Sequence, residues 1–568
     1  MSNVPRAAAW TVCLSLWAGV AWAKAPTTRS SETARATKMS RSPTDAADGC
    51  RPGPDFIGTA EYNFEDEFDL TPAGSTTPAY PGVDVRAVVR YPAKAAGAGQ
   101  PVAGGRHPLV VLLHGNHVTC PCSCSHTCAP ASRIPNHLGY NYLLDVLASW
   151  GFIAVSIDGF DVTCAGSIAM SDYEARGRLV LRHLAKWKDW HTAGGAPWGK
   201  LFKGRVDLSH IGLSGHSRGG EGVVAAEFIN RAEGLGFQIE AVNAIAPTDQ
   251  DPNVRFVPQV PYFLLLAASD GDVSNLQGLR TYDRTSLGGA PVQSEKAMLW
   301  VYGANHNFFN TVWTPSFGVA CASDDGFGDG RVSEQLQRLV ACQSVVPFFR
   351  MQLQDASDFG PLFRGEVVAQ GLGGVRMYWA RQDAVRKEID NFDTGDDRTT
   401  NSLGGAVTAS GGLVTFDEFE LKASGPDLFN PSFRGFTHGL VLGWSSPQTY
   451  ESALPAAQRN VSGYSALALR IGQILETANP VDTPRSLRVK LKTGAGVVSS
   501  VGFDLSGVES VPYPYESNGG KTVLTTVRIP LADFRKGNAA LPLLDIQSVI
   551  LEFHGTGLVA IDDIQFTK

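Results

Sequence analysis

From Ile57 to Gln354 the chain alternates short apolar runs rich in Val, Ile and Leu with amphipathic stretches long enough for helices. The runs are VDVRAVVRYP, HPLVVLLHGN, GFIAVSIDG, HIGLSGHS, AVNAIAPTD, VPYFLLLAASD and AMLWVYGANH; the helical stretches include Tyr140–Trp150, closed by Gly151, then Tyr173–Trp190 and Gly219–Arg231. Runs such as LVVLL and YFLLL have no polar face, so they suit strands covered by helices on both sides, and they predict an α/β domain around a mostly parallel, buried sheet. Val332–Gln354 reads as a further helix packing back on that sheet, and Arg381–Lys387 as the way out of it. After Ile389 the runs are LVLGWS, ALALRIG, SLRVKLKT, TVLTTVRIPL, IQSVILEFHG and LVAIDDIQF, separated by Gly, Pro, Asn and Ser. Short strands without intervening helices predict an antiparallel sandwich.

Four segments result: 1–23, 24–50, 51–387 and 388–568. In the first, Arg6 precedes an apolar stretch too short to span a bilayer that ends in Ala21-Trp22-Ala23, the layout of a cleaved export signal. The second is rich in Ser, Thr, Ala and Arg without apolar periodicity, which predicts a disordered leader. The chain is therefore expected to be secreted, extracellular or periplasmic, with no membrane span. A formal charge of −7 over 568 residues, with no basic stripe, excludes a nucleic-acid partner.

Eight cysteines follow the signal: Cys50, Cys120, Cys122, Cys124, Cys128, Cys164, Cys321 and Cys342. An even number in an oxidising compartment predicts disulfides, with Cys321 to Cys342 and Cys164 to a member of CPCSCSHTC as the expected pairs. The same cluster, with His117 and His126 nearby, has a thiolate metal site as its alternative, although it lacks the paired CxxC spacing of common zinc sites.

Among 61 glycines a GxSxG pentapeptide arises by chance, so the context of Gly215-His216-Ser217-Arg218-Gly219 is what counts. It directly follows the apolar run IGLS and directly precedes a helical run. That is the strand, turn and helix that lifts a serine hydroxyl above a sheet edge, beside a helix N-terminus that favours developing negative charge.

Strand, GHSRG and helix, with LLHGN upstream, resemble the α/β-hydrolase superfamily, and YLLDVLASWGFIAVSID and GANHNF are similar to its secreted dienelactone-hydrolase, cutinase-like and polyester-hydrolase branch. The resemblance spans about Phe56 to Gln354 and implies an α/β-hydrolase fold, a serine, acid and histidine in that chain order, and an oxyanion hole of backbone amides. It makes Ser217 the nucleophile. Three histidines follow it, His306, His438 and His554, and only His306 lies directly after an apolar run of the first half, so His306 is the expected base. The orienting acid is expected at the end of VPYFLLLAASDGD, where Asp270 fits best and Asp272 is the alternative, with Asp249 weaker. The implied oxyanion donors are the amides of Arg218 and Asn116, with the His114 ring supporting their loop. Asp158, Phe160 and Asp161 fall on the same rim, as cleft or as loop packing; Glu221 suits the helix dipole, and Arg218 has two open roles, contact with a substrate carboxylate or a local salt bridge with Glu221.

The segment 388–568 resembles galactose-binding-like jelly rolls, through YSALALRIG, RIPLADF and AIDDIQF. That resemblance implies a structural calcium held by Asp390, Asp393, Asp562 and Asp563, against solvated loop carboxylates as the alternative. It also implies a surface or glycan partner, for which Trp444 is the lone tryptophan of the segment. The function implied by the whole is a carboxylic ester hydrolase acting on a small-molecule or polymeric ester without a catalytic cofactor. The alternatives are an amidase or peptidase with the same triad, and an inactive surface-binding protein.

Overall fold

Alternating exposed and buried positions make β1 (Phe56–Leu70) and β2 (Tyr80–Ala93) a long antiparallel ribbon. The structure is a computed structural model and describes residues 48–568 apart from 122, 168, 252, 254, 286–294, 315–331, 394–396, 422–436, 480–484, 486, 503–510, 513–514 and 516–520. The expected export signal and nearly all of the leader lie outside the described residues. After the short β3 (Gly97–Ala98) come β4 (His107–Leu113), α1 (Asn141–Ser149), β5 (Ile153–Ile157), α2 (Asp172–Thr192), β6 (Val206–His216) and α3 (Arg218–Ala232). Next along the chain are β7 (Ile239–Ile245), β8 (Tyr262–Ala267), α4 (Gly278–Arg284), β9 (Lys296–Val301), α5 (Glu334–Leu353) and β10 (Met377–Gln382).

These ten strands form one sheet in the order β10-β9-β8-β7-β6-β4-β5-β2-β1-β3. Strand β4 shows why its centre is apolar throughout. Leu109, Val111 and Leu113 enter the cluster that includes α2 and α3, whereas Val110 and Leu112 enter the cluster of α1 and α5. Serines cap two of these helices: Ser171 accepts from the Glu174 amide at the start of α2, and Ser333 from the Leu336 amide at the start of α5.

The expected α/β-hydrolase fold with a mostly parallel sheet is corrected by this topology. The sheet is mixed: β2 runs antiparallel to β5, β1 to β2 and β10 to β9, and among the described residues strand outweighs helix, 36% against 23%. Apolar continuity reports burial on both faces and says nothing of the direction of the neighbouring strand, so the reversals at the flanks left no mark in it.

The remaining strands are β11 (Arg386–Asp390), β12 (Val407–Ala409), β13 (Leu413–Glu420), β14 (His438–Trp444), β15 (Gln448–Ala453), β16 (Ala466–Gln473), β17 (Leu487–Thr493), β18 (Val498–Gly502), β19 (Thr525–Pro530), β20 (Ile546–Phe553) and β21 (Gly557–Thr567). They make two antiparallel sheets, β13-β14-β21-β16-β19 with β11 beside β21, and β12-β15-β20-β17-β18. Leu440, Leu467 and Leu469 of the first sheet share a core with Val489, Val549 and Leu551 of the second. Both halves of the chain belong to one compact unit.

Among the described residues three cysteine pairs stand at disulfide distance: Cys50–Cys342, Cys120–Cys128 and Cys124–Cys164. Cys164 does join the cluster, but Cys342 pairs with Cys50 and not with Cys321, which, like Cys122, lies outside the described residues. The reason is tertiary. The amides of Gly49 and Cys50 both donate to Gln343 Oε1 (2.7 and 3.2 Å), which lays the start of the described chain along α5. Among the described residues no helix is long and apolar enough to cross a membrane.

Candidate active site

Ser217 stands between β6 and α3 at φ 58°, ψ −130°, a strained conformation for a residue with a side chain. Its amide donates to Ile245 O (2.9 Å) and its carbonyl accepts from the Gly220 amide (2.8 Å), so the turn is held from both sides. The motif glycines are a steric requirement of this turn. A Cβ on Gly215 would lie 2.1 Å from Gly219 O, and one on Gly219 would lie 2.4 Å from Leu113 O.

Asp270 follows β8 and His306 follows β9, and their loops bring the two side chains together. Asp270 Oδ2 lies 2.9 Å from His306 Nδ1, with both side chains buried. The other oxygen, Oδ1, accepts from the amides of Asp272 (3.0 Å) and Val273 (2.6 Å), which fixes the carboxylate plane. Asp272 instead lies on the Nε2 side of the ring, 3.5 Å away, with its side chain 54% exposed. The arrangement thus separates two aspartates that the sequence left as alternatives: Asp270 meets the nitrogen that an orienting acid must meet. Asp249 is engaged elsewhere, paired through both oxygens with Arg284 (2.7 and 2.9 Å).

The His306 ring centroid is 5.0 Å from that of His216, the residue before Ser217. His216 is itself a histidine beside the serine, yet burial pushes its imidazole well below the ordinary value, and neighbouring His306 and His117 add to the effect. It is neutral near pH 7 and hydrogen-bonded through Nδ1 to the Tyr140 hydroxyl (2.9 Å). Trp313 lies against His216 (4.8 Å) and stacks on His117 (4.8 Å, 12° between planes). Sequence reasoning missed Tyr140 and Trp313, because neither stands in a motif: Tyr140 caps the start of α1, and Trp313 follows His306 by seven residues.

The loop carrying Asn116 is pinned at each residue. Arg176 donates to His114 O (3.1 Å), the Gly159 amide to His114 Nε2 (2.8 Å), and the Cys164 amide to Asn116 Oδ1 (2.8 Å). His114 Nδ1 is 2.8 Å from Gly115 O, so this ring braces the loop as expected. Beneath it Asp158 is hydrogen-bonded to Arg86 and accepts from the Phe160 amide (3.1 Å), with His137 Nδ1 3.4 Å away. Burial alone would raise this carboxyl, but His137, His114 and Arg86 hold it far below the usual carboxylate range. Asp158 therefore packs the loop from below, whereas Asp161 accepts from the Asp84 amide (2.9 Å) of β2.

Arg218 does not pair with Glu221. Its Nη1 lies 3.1 Å from Asp172 Oδ2 on α2, because the Glu221 carboxyl points inward and accepts from Thr248 Oγ1 (2.7 Å) and the amides of Gln250 (2.8 Å) and Asp251 (3.0 Å). Burial pushes Glu221 up to about 7 despite these bonds.

The four aspartates expected around a calcium are not gathered about one point. Asp562 and Asp563 face the buried guanidinium of Arg470 (3.1 and 3.5 Å), which also meets Asp283 (2.8 Å) of α4, so an arginine supplies the positive charge there. Asp390 accepts from Ser402 Oγ (2.9 Å), and Asp393 is exposed. Among the described residues no group of three or more His, Cys, Asp or Glu side chains is placed to hold a metal ion. That covers Cys120, Cys124 and Cys128, each already paired with another cysteine. Trp444 is buried against Phe553 (4.6 Å) and donates to His554 O (3.1 Å), so it presents no platform to a glycan.

Comparison of the chain with known protein families and with curated proteins returns no match.

Proposed function

We propose that this chain is a secreted serine hydrolase acting on carboxylic esters, with Ser217 as nucleophile, His306 as base and Asp270 as orienting acid. The reading rests on the site and not on a fold analogy. One observation carries it: a buried carboxylate 2.9 Å from Nδ1 of a histidine whose ring neighbours the residue before a strained serine.

In this reading Ser217 Oγ attacks the ester carbonyl while His306 Nε2 accepts the hydroxyl proton, and Asp270 stabilises the imidazolium through Nδ1–H. The oxyanion of the tetrahedral intermediate accepts from the amides of Arg218 and Asn116. Collapse passes the proton from His306 to the leaving alkoxide and leaves an acyl-serine. Water, deprotonated by the same imidazole, then attacks the acyl-serine and releases the acid with restored Ser217. The low proton affinity of His216 leaves proton transfer to His306. Paired cysteines suit an oxidising compartment, which is why the reading includes export.

A fluorophosphonate probe tests the assignment. Wild-type protein is expected to be labelled at Ser217 and to hydrolyse p-nitrophenyl acyl esters faster than the matched anilides, and Ser217→Ala to lose both activities. Labelling that survives Ser217→Ala refutes the nucleophile, and faster anilide turnover replaces esterase by amidase.

A further inference from the structure

The loop that bears Asp270 is gripped from the distant end of the chain. Lys521, fully buried and lying just before β19, donates through Nζ to the carbonyls of Ala268 (2.8 Å) and Asp270 (3.2 Å). Between these two residues, Ser269 Oγ is hydrogen-bonded to the Tyr515 hydroxyl. Tyr515 and Lys521 are in turn tied to each other, the amide of each donating to the carbonyl of the other (2.9 and 2.7 Å). The Tyr515 ring also packs edge-on against Tyr302 (5.0 Å), the first residue of the loop that leads from β9 to His306. One pair of residues thus touches both the acid loop and the base loop.

The attachment continues behind them. Val523 shares an apolar cluster with Leu266, Ala268 and Tyr302. On the next strand Thr526 Oγ1 accepts from the Arg381 amide (3.0 Å) and lies 3.3 Å from Arg381 O, which joins β19 to β10 at the edge of the ten-stranded sheet.

A buried ammonium is costly to fold around, and an apolar residue of similar length would fill the same space at lower cost. The geometry of Lys521 is that of a brace: its ammonium donates to two backbone carbonyls of one loop, those of the residues on either side of Ser269. We infer that Lys521 and Tyr515 are positioning residues for the Asp270–His306 pair, so that the antiparallel half of the chain completes the site carried by the ten-stranded sheet. The inference depends on reading Asp270 and His306 as members of the triad.

Three full-length variants test it: Lys521→Met, which keeps length and removes charge; Lys521→Arg, which keeps charge and donors; and Tyr515→Phe, which removes one hydroxyl. Lys521→Met is expected to lower kcat on p-nitrophenyl acetate by about tenfold or more with KM nearly unchanged, since the acyl-transfer geometry is lost while binding surfaces stay. Lys521→Arg should recover most of that kcat, and Tyr515→Phe should lose roughly two- to fivefold. In both losing variants the amides of Asp272 and Val273 should exchange hydrogen faster than in the wild type. Wild-type kcat in folded Lys521→Met or in Tyr515→Phe, a loss confined to KM, or no rescue by arginine overturns the inference. Should Lys521→Met fail to fold, Tyr515→Phe decides by the same readouts. Failure of the hydrolase reading is seen separately, as absence of labelling and turnover in the wild type. Hydrogen exchange over 268–273 then still decides whether the two residues hold this loop, and unchanged exchange overturns it.

Discussion

Replacing Gly115 by alanine adds one methyl group at the point where the Asn116 loop meets the serine turn. The new Cβ would lie 2.4 Å from Ser217 Cβ, 2.8 Å from His216 O and 3.0 Å from Ser217 Oγ. Carbon atoms settle at about 3.5–4.0 Å, so relief requires a movement of roughly 1 Å. Neither side yields easily. The loop is held through His114 O, the His114 ring and Asn116 Oδ1, and the serine through Ile245 O and the Gly220 amide. The displacement therefore falls on the nucleophile or on the Asn116 amide. A misplacement of about 1 Å at reacting atoms costs on the order of a hundredfold in rate, or about 2.7 kcal/mol of barrier. Overpacking adds about 1–3 kcal/mol of lost stability. The expected result for Gly115→Ala is a folded protein with kcat on p-nitrophenyl acetate and fluorophosphonate labelling both slowed about a hundredfold. Gly104→Ala serves as the control, because a methyl there meets nothing within 4 Å, and it should behave as wild type. A folded Gly115→Ala that keeps half of the wild-type kcat would refute the claim that this contact sets the geometry of the site.

Glu221 titrates near 7 in the folded protein against an ordinary 4.5, so the folded state holds the extra proton between these values and stability falls as pH rises through that window. The fall amounts to about 3 kcal/mol, and urea unfolding from pH 4 to 8 should show Glu221→Gln with a correspondingly flatter profile; equal slopes in the two proteins contradict this. The Cys124–Cys164 link closes a separation of 40 residues and adjoins the Cys164 amide that holds Asn116, so the double serine variant should lose up to about 4 kcal/mol of stability and most of its kcat. Unchanged denaturation midpoint and turnover would remove the link from any role in the site.

Much of the candidate site was legible before the tertiary structure because local chemistry writes itself into short patterns. A serine between an apolar run and a helical run, with glycines two residues to either side, specifies a tight strand-to-helix turn, and the contacts a Cβ would make at Gly215 and Gly219 explain that spacing. His306 was legible as one of three histidines after Ser217 and the one placed at the end of an apolar run of the first half of the chain. Asp270 and Asp272 could not be separated this way. They differ by two positions in one loop, and what distinguishes them is that one reaches Nδ1 in a buried pocket while the other stays largely exposed.

What the amino-acid sequence determines by itself is therefore the set of elements: which runs are buried on both faces, where helices begin, and which turn carries the serine. Their directions and partners belong to the tertiary structure, since pairing joins residues that no local pattern relates. Cys342 finds Cys50 at a separation of 292 residues, the flanks of the ten-stranded sheet reverse, and Arg470 reaches Asp283, Asp562 and Asp563 from another strand. The grip of Lys521 on the Asp270 loop is of the same kind, a contact across 251 residues that only packing brings about.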